Sequence, residues 1–382
     1  MVDLVEVLMN YGITSASTQK LLLKHVARFL NMSVGEIRKQ IDEVDEEIVK
    51  LLAKRLSLAK AIVELKTSLN QNVVDDGREL ELMLRWRKLA TTHGVPWELA
   101  EQIVKAVLVY SKKIQLSVIS KNCAHRSREA VVIVGYGKMG KALATQITRR
   151  GLDVIVSGRS LDKAEAVAKE IACRAEPIEK ALGMGRYVVL AIPLQAYSEG
   201  FVDGIVGSLR GRIVMDILSS KSWVYSYLEE LSVKYGFYYI STHPLFGPST
   251  PAEGQKIVII PSKTSKDVLA EVVDFWRCVE IDPLVVSYEE HEKAMAIVQV
   301  LAHLFILSLQ LTVKELSREL GVDPIKFSTP TFKELIAIAE RLNEIKDTVY
   351  EIQKSNPFSS FVRSQALKSI QYISMSILGG NQ

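Results

Sequence analysis

The sequence predicts a multidomain chain of all-α and α/β class, and three observations carry that prediction. Residues 33 to about 120 repeat apolar side chains at helical intervals with few Gly or Pro. From Ala130, short β-rich runs alternate with helical stretches, the pattern of a parallel sheet with crossover helices. From about residue 285 the chain is helical again to Leu378. At 382 residues it is too long for one ordinary core. The expected domains are a helical leader over 1–32, left unassigned, a helical module over 33–120, an α/β domain over 129–283 and a helical domain over 284–382.

In the first module, Ser33 and Glu36 have capping-box spacing ahead of Ile37, Ile41, Val44, Ile48, Leu51 and Leu52. That helix runs to about Lys66. The break Ser68–Val74 ends it, and shorter helices follow over 76–92 and 96–118. Three helices without a strand close little core alone, so pairing with a second copy is expected. Residues 119–129 read as a linker. The predicted strands are Val131–Val134, Asp153–Val156, Tyr187–Ala191, Ile213–Asp216 and Tyr238–Ser241.

Composition narrows the function. With 48% hydrophobic and 24% charged residues the chain reads as soluble and globular. A net charge of +4 is too small to argue for nucleic acid, but it suits small anionic substrates in local basic pockets. Cys123, Cys173 and Cys278 lie far apart with no CxxC pair and no Cys/His ligand spacing. That argues against a disulfide framework or a metal site, and for a reducing cytoplasm. Asp3 and Glu6 stand where a signal peptide would carry Lys or Arg. The apolar run Ile297–Leu311, broken by His303 and Gln310, reads as too short for a membrane span.

The first strong motif is Gly135-Tyr136-Gly137-Lys138-Met139-Gly140, between the strand at Val131–Val134 and a helix opening near Lys141. Glycines there permit a tight turn and let a pyrophosphate approach a helix N-terminus, where free N–H groups favour anions. In that setting the motif predicts a Rossmann-type dinucleotide site. A site for NAD usually has Asp or Glu at the end of the second strand. Here Ser157, Gly158, Arg159 and Ser160 follow Val156. Arg159 with Ser157 or Ser160 suits a 2′-phosphate, which favours NADP over NAD. An Arg159 that only stacks on the adenine would leave both cofactors usable.

Two further segments, Asp216–Lys221 and Thr242–Pro248, lie at strand ends, where open α/β sheets carry their sites. His243, held between Thr242 and Pro244, suits a base that takes a hydroxyl proton as hydride leaves. Spacing alone leaves a packed structural histidine equally open.

The succession GxGxMG, DxxSxK and HPxFGP resembles the prephenate dehydrogenase family, over about residues 130–360. The resemblance implies that His243 accepts the 4-hydroxyl proton of prephenate during hydride transfer and that Ser219 orients the same hydroxyl. Loss of carbon dioxide then aromatises the ring. Glu290-His291, followed by Gln299 and His303, is similar to the family's EH(D/E) and Q/S-x-L-x-H pattern. Gln299 and His303 lie four apart on one helix face, as pocket-lining or as core residues. By the same resemblance Arg341 binds a substrate carboxylate, and Lys333 stands where some relatives have arginine.

In the first module, Arg55 occupies the apolar stripe in series with Ala59, Ile62 and Lys66, roughly 16 Å from Lys66 along one face. Cations on a core stripe are costly unless anions meet them. Arg38 lies about 100° around the helix and serves a different site, such as a partner's. Arg38, Arg55, Lys66, Asp75, Arg78-Glu79, Ser111 and Gln115 match the polar pattern of the AroQ-type chorismate mutases in register. That resemblance implies an intertwined helical homodimer. Arg38 from the partner, Arg55 and Arg78 would hold the carboxylates of chorismate. Lys66 and Gln115 would face the ether oxygen, with Asp75 and Ser111 at the hydroxyl. The rearrangement needs only a compact conformer and stabilised charge.

The two resemblances are consecutive in chemistry, since prephenate made by the first module is consumed by the second. The expected chain is therefore a bifunctional enzyme of tyrosine biosynthesis, with the C-terminal helices as a dimerisation domain. The main alternative is a dehydrogenase acting on arogenate.

Overall fold

A computed structural model describes residues 33–68, 76–121 and 129–379. The leader over 1–32 and Asp75 lie outside the described residues, as do the side chains of Arg78 and Gln115. The chain divides into two compact units, residues 1–123 and 124–382.

Among the described residues the first unit holds three helices, α1 (Val34–Ser68), α2 (Asp76–His93) and α3 (Trp97–Lys121). α1 opens on the expected capping box. The Ser33 amide donates to Glu36 Oε2 at 2.7 Å, and the Glu36 amide donates to Ser33 Oγ at 3.3 Å. α2 stops where Gly94 turns left-handed at φ 68° and the Val95 amide donates to the Ala90 carbonyl. Small residues hold the core: Ala59 and Val63 of α1, Ala90 of α2, and Ala100, Val104 and Val107 of α3 are buried. On α1, Ile41, Val44, Leu58 and Leu65 are each more than half exposed.

The second unit is built on one eight-stranded sheet. In chain order its elements are β1 (Ala130–Val134), α4 (Lys138–Arg149), β2 (Val154–Ser157), α5 (Leu161–Ile171), β3 (Arg174–Ala175), α6 (Ile178–Met184) and β4 (Gly185–Leu190). There follow α7 (Leu194–Ser198), α8 (Phe201–Ile205), β5 (Ile213–Asp216), α9 (Ser222–Tyr235), β6 (Tyr238–Pro244), β7 (Lys256–Pro261), α10 (Leu269–Cys278) and β8 (Asp282–Val285). The strand order is β3-β2-β1-β4-β5-β6-β7-β8, with β1 to β6 parallel. Val131–Val134 is wholly buried because helices cover both faces. Leu143, Ile147 and Trp276 pack on one side; Leu182, Leu209 and Leu228 pack on the other.

The five strands read from the sequence are parallel, and one edge of the sheet adds two strands that the sequence reading did not mark. β7 runs antiparallel to β6, and β8 is parallel to β7. The segment between Pro244 and Lys256 carries Gly247, Pro248, Pro251 and Gly254, so it forms no crossover helix and the chain returns alongside β6.

Helices complete the unit: α11 (Tyr288–Met295), α12 (Ala302–Leu320), α13 (Pro330–Asn343), α14 (Lys346–Ser355) and α15 (Ser359–Gly379). A π-helical turn, Ala296–Leu301, joins α11 to α12. It buries Ala296 and Val300 against Ile352 and Val362. Gln353 Nε2 donates to the Val300 carbonyl at 2.7 Å. The run Tyr288–Leu320 has 33 residues and a mean hydropathy of 2.0 in its most apolar stretch, long and apolar enough to cross a membrane by length and composition. That corrects the expectation of too short a run, because His303 and Gln310 do not interrupt the helix. The cysteines bring a second correction. Cys173 is free, whereas Cys278 is disulfide-bonded, against the expectation drawn from the cysteine spacing.

Candidate active sites

The glycine motif forms the turn from β1 into α4. Gly135 has φ 127°, and a Cβ there would lie 2.2 Å from the Ala191 carbonyl oxygen. A Cβ on Gly140 would lie 2.5 Å from the Gly135 oxygen. Gly137 differs from both: it precedes α4 in extended backbone, and a Cβ would meet nothing within 4 Å. The fold demands the outer glycines, while the middle one keeps open the space in front of a helix N-terminus. That is the fit of a dinucleotide pyrophosphate. Lys138 is exposed at the start of α4, and Met139 packs toward the sheet core.

Gly135, Tyr136 and Gly137 line a cleft with Gly158, Arg159, Ala191, Pro193, Gln195, Glu199 and Phe201. Arg159 Nη2 donates to Glu199 Oε2 at 2.7 Å, and the guanidinium lies 5.2 Å from the centre of the Phe201 ring. The Arg159 hydrogen bond holds the Glu199 carboxyl below its usual range. The expectation for Ser157 is corrected. It is fully buried at the end of β2 and donates to the Glu176 carbonyl at 2.7 Å, so its hydroxyl is turned inward. Ser160 caps α5, accepting from the Lys163 amide.

At the carboxyl end of β6, which runs parallel with β1, His243 enters the interior, 2% exposed. Its Nδ1 lies 2.9 Å from His291 Nε2, and His291 Nδ1 lies 2.9 Å from Glu292 Oε1. Glu292 is fully buried and accepts from the Lys221 amide at 3.3 Å and from Asn356 Nδ2 at 3.3 Å. A carboxylate only accepts, so His291 Nδ1 carries the proton. In neutral His291 the other nitrogen, Nε2, then accepts, and His243 Nδ1 must donate to it. His243 Nε2 is left with a lone pair, the form a general base requires. Burial, reinforced by the Lys221 charge, pushes His243 well below the ordinary histidine value.

Lys221, 1% exposed, locks this end of the sheet. Its Nζ donates to Asp216 Oδ1 at 2.8 Å and to the Thr242 carbonyl at 2.6 Å. Tyr239 Oη donates to Asp216 Oδ2 at 2.8 Å. Burial lowers the Lys221 pKa against the pull of Asp216. Ser219 is half-buried on the turn after β5. Gln299 lies within the π turn and His303 just after it; Gln299 Oε1 and His303 Nδ1 are buried without a partner. Lys333 and Arg341 are exposed on α13. Sequence reading assigned no role to Glu292, Lys221, Asn356 or Glu199. Glu292, as the last residue of the EH(D/E) pattern, and Lys221, as the last of DxxSxK, carried local signals.

In the first unit Arg55 Nη1 donates to Ser111 Oγ at 2.8 Å, joining α1 to α3. Ser111 is buried and donates to the Val107 carbonyl at 2.7 Å. Arg55 is partly buried, and burial lowers its pKa. Lys66 and Glu79 are also partly buried, whereas Arg38 is exposed.

Residues 37–116 match the family described as chorismate mutase type II. The chorismate mutase of Methanocaldococcus jannaschii is 39% identical over 82 residues, covering 22% of this chain and 83% of that protein. The chain belongs to the chorismate mutase type II family. Behind this mutase module, residues 130–220 match the family described as NADP oxidoreductase, coenzyme F420-dependent. A probable arogenate/prephenate dehydrogenase of the same organism is 33% identical over 232 residues, or 59% of this chain; the match spans only 51% of that relative's length. The T-protein of Enterobacter agglomerans is 25% identical over 312 residues, 80% of this chain and 77% of that one. The crystal structure of prephenate dehydrogenase from A. aeolicus, in complex with hydroxyphenyl propionate and NAD+, superposes with a TM-score of 0.56 at 22% identity, covering 67% of this chain and 93% of that one. The chain thus joins a mutase module to a unit with the fold of a nicotinamide-dinucleotide-dependent dehydrogenase.

Proposed function

We propose that this mutase–dehydrogenase rearranges chorismate to prephenate in α1–α3 and oxidatively decarboxylates prephenate to 4-hydroxyphenylpyruvate in the second unit. The observation that carries the dehydrogenase half is the buried series His243, His291, Glu292, which leaves one bare nitrogen at a strand end. His243 Nε2 takes the proton of the substrate 4-hydroxyl, with Ser219 orienting that hydroxyl. Glu292, through His291, stabilises the imidazolium that results. The turn Gly135–Gly140 would hold the nicotinamide cofactor, which would supply the hydride acceptor for the carbon bearing the hydroxyl. Gln299 and His303 offer unpartnered buried polar atoms to the substrate, and Arg341, assisted by Lys333, suits a carboxylate.

In the mutase, Arg55, Arg78 and Arg38 of a second copy hold the two carboxylates. Lys66 and Gln115 stabilise the ether oxygen; Asp75, Glu79 and Ser111 hold the hydroxyl region. The exposed aliphatic face of α1 supports a homodimer, since burying each large side chain there stabilises by about 1.5–3 kcal/mol. We assign NADP as the cofactor, on Gly135 to Gly140 with Arg159 and Ser160 at the 2′-phosphate.

The test is to give purified protein chorismate, follow its loss, then add NADP or NAD. Chorismate loss without cofactor, then cofactor reduction with 4-hydroxyphenylpyruvate appearing, is the expected result. Intact chorismate would reduce the helical module to a scaffold. Oxidation of arogenate but not prephenate would reassign the second substrate.

A further inference from the structure

We infer that Glu199 is a specificity residue that competes with the cofactor's 2′-phosphate for Arg159, so that this chain's choice between NADP and NAD is set by a displaceable carboxylate. The inference rests on the reading that Arg159 receives the 2′-phosphate.

Arg159 follows β2 and Glu199 follows α7, so the ion pair bridges two sides of the cleft that Gly135 and Gly137 open. Both Glu199 oxygens are engaged. Oε2 accepts from Arg159, and Oε1 accepts from Gln195 Nε2 at 2.7 Å. Gln195 and Glu199, four residues apart, hold the carboxylate ready from one side. Phe201 stacks against the guanidinium at 5.2 Å and keeps it over the cleft. Arg159 and Glu199 remain about half exposed, at 52% and 41%, so a ligand can reach them.

A 2′-phosphate brings negative charge to the guanidinium and must displace the carboxylate or share the fork with it. A ribose 2′-hydroxyl brings a donor instead, which an acidic group at this place accepts without giving up Arg159. The same pair therefore penalises the phosphate and serves the hydroxyl.

The experiment is calorimetric titration of the full chain with adenosine 2′,5′-bisphosphate and with adenosine 5′-monophosphate, so the readout is binding. Glu199→Gln should tighten the bisphosphate roughly tenfold, the effect of removing one competing charge-assisted bond, and leave the monophosphate unchanged or weaker. Glu199→Asp, which keeps the charge but shortens its reach, should fall between. A bisphosphate affinity that is unchanged or weaker in Glu199→Gln would overturn the inference and make Glu199 a mere support for Arg159. Arg159→Gln separates the two claims. If it costs the bisphosphate no affinity, the assignment of Arg159 to the phosphate fails and takes the competition with it. If it does cost affinity, Glu199→Gln alone decides.

Discussion

Nδ1 of His243 lies 2.9 Å from Nε2 of His291, and that contact fixes which nitrogen of His243 can act as a base. A consequence is graded sensitivity along the series. His243→Asn should lower kcat of the dehydrogenase by about 10²–10⁴, the usual contribution of a general base. Glu292→Gln keeps the shape but loses the charge that orients His291, and should lower kcat by about 10–100-fold, with KM nearly constant. Mutase rates should stay unchanged in both. A Glu292→Gln enzyme with wild-type kcat would sink the relay.

The pH profile follows from the same burial. Burial is the largest cause that depresses His243, so the base form persists below the ordinary histidine value of 6.5. The acid limb of dehydrogenase kcat/KM should therefore lie below pH 6.5, not at it. Stability shares the sign: the contribution is complete above the unfolded value and is lost as pH falls toward the depressed folded one. Denaturant unfolding followed at descending pH would check this, with a flatter profile expected for His243→Asn.

The glycines of the cofactor turn should separate fold from binding. Gly137→Ala has open space for its Cβ, so its melting temperature should match wild type while cofactor titration weakens sharply. Gly135→Ala meets the Ala191 carbonyl at 2.2 Å and sits at positive φ, so it should lose stability by about 1–3 kcal/mol or more. Equal effects of the two substitutions on melting would refute the distinction.

In the mutase, Arg55→Ala should lower chorismate turnover by about 10²–10³ while prephenate oxidation is retained. Ser111→Ala, which frees Arg55 and leaves its other contacts, should cost less. Coupled assays on one preparation give both numbers.

Much of this was legible because local rules and the tertiary fold agree. Ser33 and Glu36 announced α1, and the apolar run at Val131–Val134 with its glycines announced the dinucleotide turn. What escaped depended on contacts far apart in sequence. Glu199 reaches Arg159 across forty positions, and Lys221 reaches Thr242 only because β5 and β6 are neighbours. Ser157 carried a suitable hydroxyl, but the burial of β2 turned it toward Glu176. The antiparallel β7 was hidden for another reason: direction in a sheet is decided by the connecting segment, here Leu245–Gln255, more than by the strand's own residues.

The π turn at Ala296–Leu301 makes the alignment of the C-terminal helices a matter of counting residues. A helix that accommodates one surplus residue can also lose it and remain helical. Removing one residue from this turn would restore α-helical winding and keep His303 close to its present direction, whereas removing one between Glu292 and Met295 would rotate His303 by about 100° relative to His291 and leave every side chain chemically intact. Substitution scans leave that dependence unseen; a single-codon deletion exposes it.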